Sequence, residues 1–208
     1  MTRSPAFCGV ILAAGESARM GQPKALLPWH GGTFLSGAIR LLNSFTDLVI
    51  VVAGQNVEQL RPIVNAQAAF LVANPQPERG QFSSLQIGVQ EVLNRGRDAA
   101  IVTLVDRPPA RAETVNHLKQ EFLNHLEQNL WAAVPEHAGK HGHPYVAGRE
   151  LIGQYLDATP SANAREIHHA NESRILYTPV NDPFVTLNLD TPEDYAQFCA
   201  TYSEKAHA

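Results

Sequence analysis

Four short apolar runs govern what this chain can fold into: Phe7–Ala14, Leu48–Ala53, Ala69–Ala73 and Ala99–Val105. A run that is apolar at every position, rather than at alternate ones, reads as a strand covered on both faces. Helix-length segments separate these runs, at about residues 34–45, 57–66 and 83–95, the last carrying Leu85, Val89, Val92 and Leu93 on one stripe. Buried strands alternating with helices predict right-handed βαβ units around a mostly parallel sheet, an α/β fold. A further helix is predicted over about 112–128 and a strand over 130–135. A polar Gly/His loop follows over 136–144, then a strand and helix up to Asp157, a helix near 162–171 and a strand over 174–180. The closing helix starts at Thr191-Pro192-Glu193-Asp194. There Thr caps, Pro takes the first helical position and the two acids favour the dipole.

At 208 residues, against roughly 150 per domain, the expectation is one domain over 1–208 with flexible ends at 1–5 and 203–208. The net charge of −4 offers no field for nucleic acid, so any phosphate chemistry must rest on a local group of cations. Cys8 and Cys199, at opposite ends, exclude a disulfide scaffold or zinc ribbon. The first apolar run is too short to span a membrane and lacks a cleavage pattern, so a cytoplasmic protein with no membrane partner is expected.

The loop after the first run carries the most chemistry. Ala13, Ala14 and Gly15 have little bulk, so backbone N–H groups there can approach a ligand closely. Arg19 offers a flat fork and Lys24 a point charge, both suited to phosphate oxygens, and Pro23 fixes the approach to Lys24. A Walker loop is excluded because Gln22 and Pro23 separate Gly21 from Lys24. The dinucleotide fingerprint fails because position 17 is Ser, which argues against a nicotinamide-dependent oxidoreductase.

Asp106 ends an apolar strand ahead of Pro108 and Pro109, where a carboxylate meets the crevice at the carboxyl end of the sheet. Asp190 precedes the last helix, either as a second acidic ligand or as part of the helix start. Hard carboxylate oxygens suit Mg²⁺, which keeps waters and bridges substrate phosphates. Ser83 and Ser84, at a helix start, could cap it or face a nucleotide. Neither His141-Gly142-His143 nor His168-His169 has the spacing of a zinc site.

The pattern L-A-A-G-x-S-x-R-M-G-x-P-K-x-L-L-P over Leu12–Pro28 resembles the signature of the MobA-like nucleotidyltransferases, most of all the molybdenum cofactor cytidylyltransferase branch. Further matches follow in order: Asn74-Pro75, Gly80, Ser83-Ser84-Leu85, Leu104-Val105-Asp106-Arg107-Pro108, Gly142-His143-Pro144 and Asp190–Tyr195. The resemblance implies a Rossmann-like three-layer sandwich of the nucleotide-diphospho-sugar transferase type. It implies Mg²⁺-dependent transfer of CMP from CTP to the terminal phosphate of a molybdopterin-type cofactor, a phosphorylated pterin, with release of pyrophosphate and a molybdoenzyme as recipient of the product.

On the same basis Arg19, Lys24 and Asp106 are catalytic, and Leu12, Ala13, Ala14, Gly15, Arg19, Lys24 and Ser84 bind the nucleotide. Asp106 and Asp190 hold the metal, while Gly142, His143 and Pro144 face the acceptor. Asn188 stands where the branch often has a second aspartate, one carboxylate fewer near the metal. The alternatives are the same chemistry with GTP, or on a sugar phosphate or other phosphorylated acceptor. A non-catalytic nucleotide- or cofactor-binding module, predicting binding without turnover, is the rival from another class.

Overall fold

The computed structural model describes residues 4–159 and 161–202. The expected flexible ends lie outside the described residues except for positions 4 and 5. In chain order the elements are β1 (Phe7–Ala13), β2 (Pro28–Trp29), β3 (Gly32–Thr33), α1 (Phe34–Asn43), β4 (Leu48–Ala53), α2 (Val57–Ala66), β5 (Phe70–Ala73), α3 (Gln81–Asn94) and β6 (Ala99–Leu104). They continue with α4 (Ala112–Asn124), β7 (Ala132–His137), β8 (Lys140–His141), β9 (Tyr145–Gly148), α5 (Arg149–Asp157), α6 (Ala164–Ala170), β10 (Ile175–Pro179) and α7 (Pro192–Tyr202).

The main sheet runs β10-β7-β9-β6-β1-β4-β5, with β8 paired to β7. Strands β6, β1, β4 and β5 are mutually parallel, as are β10 and β7, while β9 runs antiparallel to both β6 and β7 and joins the two blocks. The segment expected as a polar loop over 136–144 therefore contains a hairpin strand. Ala138 and Gly139, both at positive φ (50° and 72°), make the tight β7–β8 turn. Two positive-φ residues suit the right-handed twist of a hairpin, but Ala is not the Asn or Asp that advertises such a turn.

Alternation along the strands sends successive side chains to opposite faces. Ile11, Val49 and Val51 pack under α1, α2 and α4 with Leu35, Ile39, Leu42, Leu60, Val115 and Leu118. Val10, Ile50 and Val52 pack under α3 and α5 with Leu85, Val89, Val92, Leu151 and Tyr155. Each such fully buried side chain contributes about 1.5–3 kcal/mol. Helix α3 approaches the sheet closely at Gly88, where a Cβ would stand 2.7 Å from a methyl of Val10.

A third, smaller core of Met20, Leu27, Phe34, Leu189 and Phe198, edged by Trp29, Phe184 and Tyr195, fastens the loop after β1 to the segment leading into α7. That core holds these two segments side by side at the carboxyl end of the sheet. Among the described residues no helix is long and apolar enough to cross a membrane.

Candidate active site

Strand β1 delivers the chain to the carboxyl end of the sheet, where the carbonyl of buried Ala13 accepts from the Asn56 side-chain amide at 2.9 Å. The loop then turns through Ser17, left-handed at φ 52°, and Gly21 at φ 70°. Ser17 organises the rest of the loop: its carbonyl accepts from Met20 N–H at 2.9 Å and its hydroxyl oxygen from Lys24 N–H at 3.0 Å. Met20 plugs into the third core, so its neighbour Arg19 points outward with 72% of its side chain exposed. Lys24 is sequestered, only 11% exposed, and its ammonium donates to Asp190 Oδ1 at 2.7 Å.

Asp190 receives Arg19 on its other oxygen at 3.2 Å. The hydrogen bond from Lys24 leads the pull that holds this carboxyl below the ordinary aspartate range. The start of α7 is served instead by its neighbours: Thr191 Oγ1 accepts from Asp194 N–H, and the Asp194 carboxylate accepts from the N–H groups of Asp190 and Thr191 at 3.0 and 2.9 Å. The capping expected of Thr191 is present, and Asp190 keeps its carboxylate for the cleft.

Asp106 follows β6, and its carbonyl accepts from Leu189 N–H at 3.1 Å, which lays the two acidic segments side by side. Leu12, Gly15, Arg19, Lys24, Asp106 and Asp190 line one cavity of about 270 Å³, together with Ser17, Ala18, Gln81, Leu104 and Val105. Gln81 opens α3, whose N-terminus has no side-chain cap. Nothing in the local sequence marks Gln81 as a lining residue.

The other expected nucleotide residues are placed differently. Ala13 is the buried last residue of β1, and Ala14 is half-buried; neither lines the cavity. Ser84 is 2% exposed, and its hydroxyl accepts from the Asn74 side-chain amide at 2.9 Å, as does that of Ser83. Buried Asn74 thus pins the first turn of α3 to the end of β5, and Ser84 faces it rather than the cleft.

None of the three expected acceptor residues lines that cavity. Gly142 and His143 line a second cavity of about 1140 Å³, shared with His141, Tyr145, Arg165, His168 and Tyr177. Pro144, joined to His143 by a cis peptide, packs beside Arg107 and Pro109 instead. Gly142 is required by close approach: a Cβ there would fall 1.9 Å from the Val185 carbonyl oxygen.

Burial, then the charges of Arg107 and His168, hold the His143 imidazole well below its ordinary range. Burial likewise holds His168 at about 4. His168 meets the Tyr155 hydroxyl, which donates to the Tyr145 hydroxyl at 3.1 Å. His141 stacks flat on Tyr177, ring centres 3.8 Å apart. His143, Tyr145, His168 and Tyr177 give this cavity an aromatic face beside the charged Lys140, Arg165, Glu166 and Glu172, and the downward shifts of His143 and His168 favour their uncharged forms near neutral pH.

The cleft therefore offers two cations and two carboxylates around one opening. Among the described residues no three His, Cys, Asp or Glu side chains gather as a metal cage. Two hard carboxylates on one cavity nevertheless suit an ion that draws its remaining ligands from water and substrate phosphate, as Mg²⁺ does.

The family described as the MobA-like NTP transferase domain matches residues 9–175. The chain is 26% identical over 201 residues to the molybdenum cofactor cytidylyltransferase of Escherichia coli K12, covering 94% of this chain and 96% of that protein. It is 33% identical over 120 residues to the molybdenum cofactor guanylyltransferase of Xanthomonas euvesicatoria pv. vesicatoria, a match spanning 57% of this chain and 56% of that protein. The crystal structure of Rv0371c from Mycobacterium tuberculosis H37Rv superposes with a TM-score of 0.77 at 24% identity, over 94% of this chain and 98% of that one. The shared fold is the Rossmann-like nucleotide-sugar transferase type.

Proposed function

The chain belongs to the MobA-like NTP transferase family and is a nucleotidyltransferase, and from that premise we propose that it transfers CMP from CTP to the terminal phosphate of a molybdopterin-type cofactor, releasing pyrophosphate. The observation that carries this reading is the convergence of Gly15, Arg19, Lys24, Asp106 and Asp190 on one cavity at the carboxyl end of the sheet. The nearly full-length likeness to a cytidylyltransferase supports CTP and the pterin. The Ala13-Ala14-Gly15 form of the loop also favours CTP, by the pattern of CTP-using members.

The chemistry is dominated by charge. An acceptor phosphate oxygen attacks the α-phosphorus, the bond from that phosphorus to the β-phosphate oxygen breaks, and pyrophosphate leaves with the electron pair. The acceptor is already an anion, so no strong general base is needed; what opposes reaction is anion–anion repulsion. Lys24 and Arg19 exchange the Asp190 carboxylate for triphosphate oxygens and neutralise the leaving group, while the Gly15 backbone admits the phosphates closely. Asp106 and Asp190 would hold Mg²⁺, which when bound supplies further neutralisation of phosphate charge. Gly142 and His143 form the acceptor wall, where uncharged imidazoles and tyrosines suit a planar heterocycle.

Purified protein is incubated with each of the four NTPs and a phosphorylated pterin, and products are read by mass spectrometry. The expected result is a CTP-dependent mass gain of one CMP on the pterin, with pyrophosphate formed. Transfer from no nucleotide overturns the reading. A second reading, guanylyl transfer, is favoured by the 33% local identity to a guanylyltransferase, and preferential use of GTP in the same assay selects it.

A further inference from the structure

Arg107 is a buried guanidinium, 8% exposed, that the transfer chemistry does not use. Burying such a charge is costly unless its donors are satisfied, and here each branch has an acceptor. Nε faces Asp106 Oδ1 at 3.4 Å, one terminal nitrogen donates to the Val185 carbonyl at 2.8 Å, and the other donates to Asn188 Oδ1 at 2.7 Å. Asp106 and Asn188 belong to the two segments that bring carboxylates to the cleft, Asn188 lying two residues before Asp190. The Val185 carbonyl accepts a second hydrogen bond, from His143 N–H at 2.8 Å, and Gly142 is packed against it. That carbonyl is therefore a fixed anchor rather than a mobile loop group.

We propose that Arg107 is a positioning residue, one guanidinium that sets the Asp106 carboxylate and the Asn188–Asp190 strip relative to each other. This rests on the reading of that cleft as the nucleotide site. A planar fork is what the geometry demands, since a lysine ammonium is a single point that cannot span three acceptors on two segments. The position of Asn188 follows as well: its amide oxygen serves Arg107, so it acts as a strut for the cleft.

The test separates positioning from charge. Arg107→Gln removes both the fork and a cation near an anionic Mn²⁺·CTP complex, so charge and positioning roles both predict weaker binding and it measures their combined loss. Arg107→Lys keeps the charge and loses the fork, so a charge role predicts affinity like the parent protein. Positioning predicts that both variants bind Mn²⁺·CTP about 10- to 100-fold more weakly by calorimetry, the usual scale for groups that orient metal ligands.

Thermal melts accompany each titration. Should Arg107→Gln fail to fold, Arg107→Lys and Asn188→Ala carry the test. The second keeps the guanidinium and removes one strut, and its affinity is expected to fall in the same direction. Affinity retained or raised in the folded variants overturns the assignment alone. Failure of the parent protein to bind any of the four Mn²⁺·NTPs overturns the nucleotide reading and the assignment with it.

Discussion

Lys24 Nζ lies 2.7 Å from Asp190 Oδ1 across 166 positions of sequence, and Arg19 reaches the other oxygen of the same carboxylate at 3.2 Å. The two cations rest on one internal carboxylate in the cleft, where on the proposed reading a triphosphate would take them up. The carboxylate keeps them pointed into the cleft, and the proposed transfer requires that a ligand with more negative charge displace it.

Lys24→Ala is expected to lower kcat/KM for nucleotidyl transfer about 100-fold, the scale of losing one donor aimed at developing phosphate charge. The melting temperature should change little, because Asp190 is a third exposed and keeps Arg19. Steady-state kinetics with a thermal melt check both halves. An unchanged kcat/KM removes Lys24 from the site.

Asp106→Ala should lose at least about a hundredfold in turnover by removing a carboxylate proposed to hold the metal. Pyrophosphate release is the measurement, taken across a Mg²⁺ titration. Near-normal Mg²⁺-dependent release from the variant would take Asp106 out of the chemistry.

Stability should depend on pH through the second cavity. Burial, with a smaller contribution from the charge of His141, holds His168 at about 4, below the ordinary 6.5. Between those values the unfolded chain binds a proton that the folded chain does not, so stability falls as pH drops from about 6.5 towards 4. Below that window both states are protonated and this contribution is spent. Denaturant melts at pH 7 and pH 5 should show the loss, and His168→Gln should reduce it. A slope remains from His143, depressed in the same direction. Asp190 acts at lower pH, because its carboxyl is held below the ordinary aspartate range.

Gly142→Ala tests how closely the second cavity's lining packs on the Val185 segment. Its new Cβ would meet the Val185 carbonyl oxygen, a backbone atom that cannot rotate aside. The expected cost is about 1–3 kcal/mol in denaturant unfolding, as for other overpacked sites. Parent-like stability would mean that the Val185 segment yields readily.

The apolar runs were enough to place the sheet. Leu48–Ala53 and Val57–Ala66 coincide with β4 and α2, and most other helices and strands fall within two or three residues of expectation. Continuous apolarity specifies a doubly covered strand without long-range information. The short pieces escaped: β2 and β3 are two residues each, and β8 lies in a turn whose Ala138 carries no hairpin signature. With them went the antiparallel placement of β9, which depends on that hairpin.

What the sequence by itself determined was the α/β alternation and the chemical kinds gathered after β1, β6 and before α7, because these follow from local pattern and residue type. What only the tertiary structure decided was which of them meet. Ser84, which local pattern left facing either a cap or a nucleotide, turns to Asn74; Asp190, which could have served the helix start, turns to Lys24 and Arg19; Arg107 joins Asp106 to Asn188 and Val185. Such choices are fixed by packing between different elements, for Asp190 above all by the aromatic core that clamps Met20 and Leu27 to Leu189 and Phe198. No local pattern encodes which of these partners a side chain meets, whether ten residues away, as Asn74 is from Ser84, or 166, as Asp190 is from Lys24.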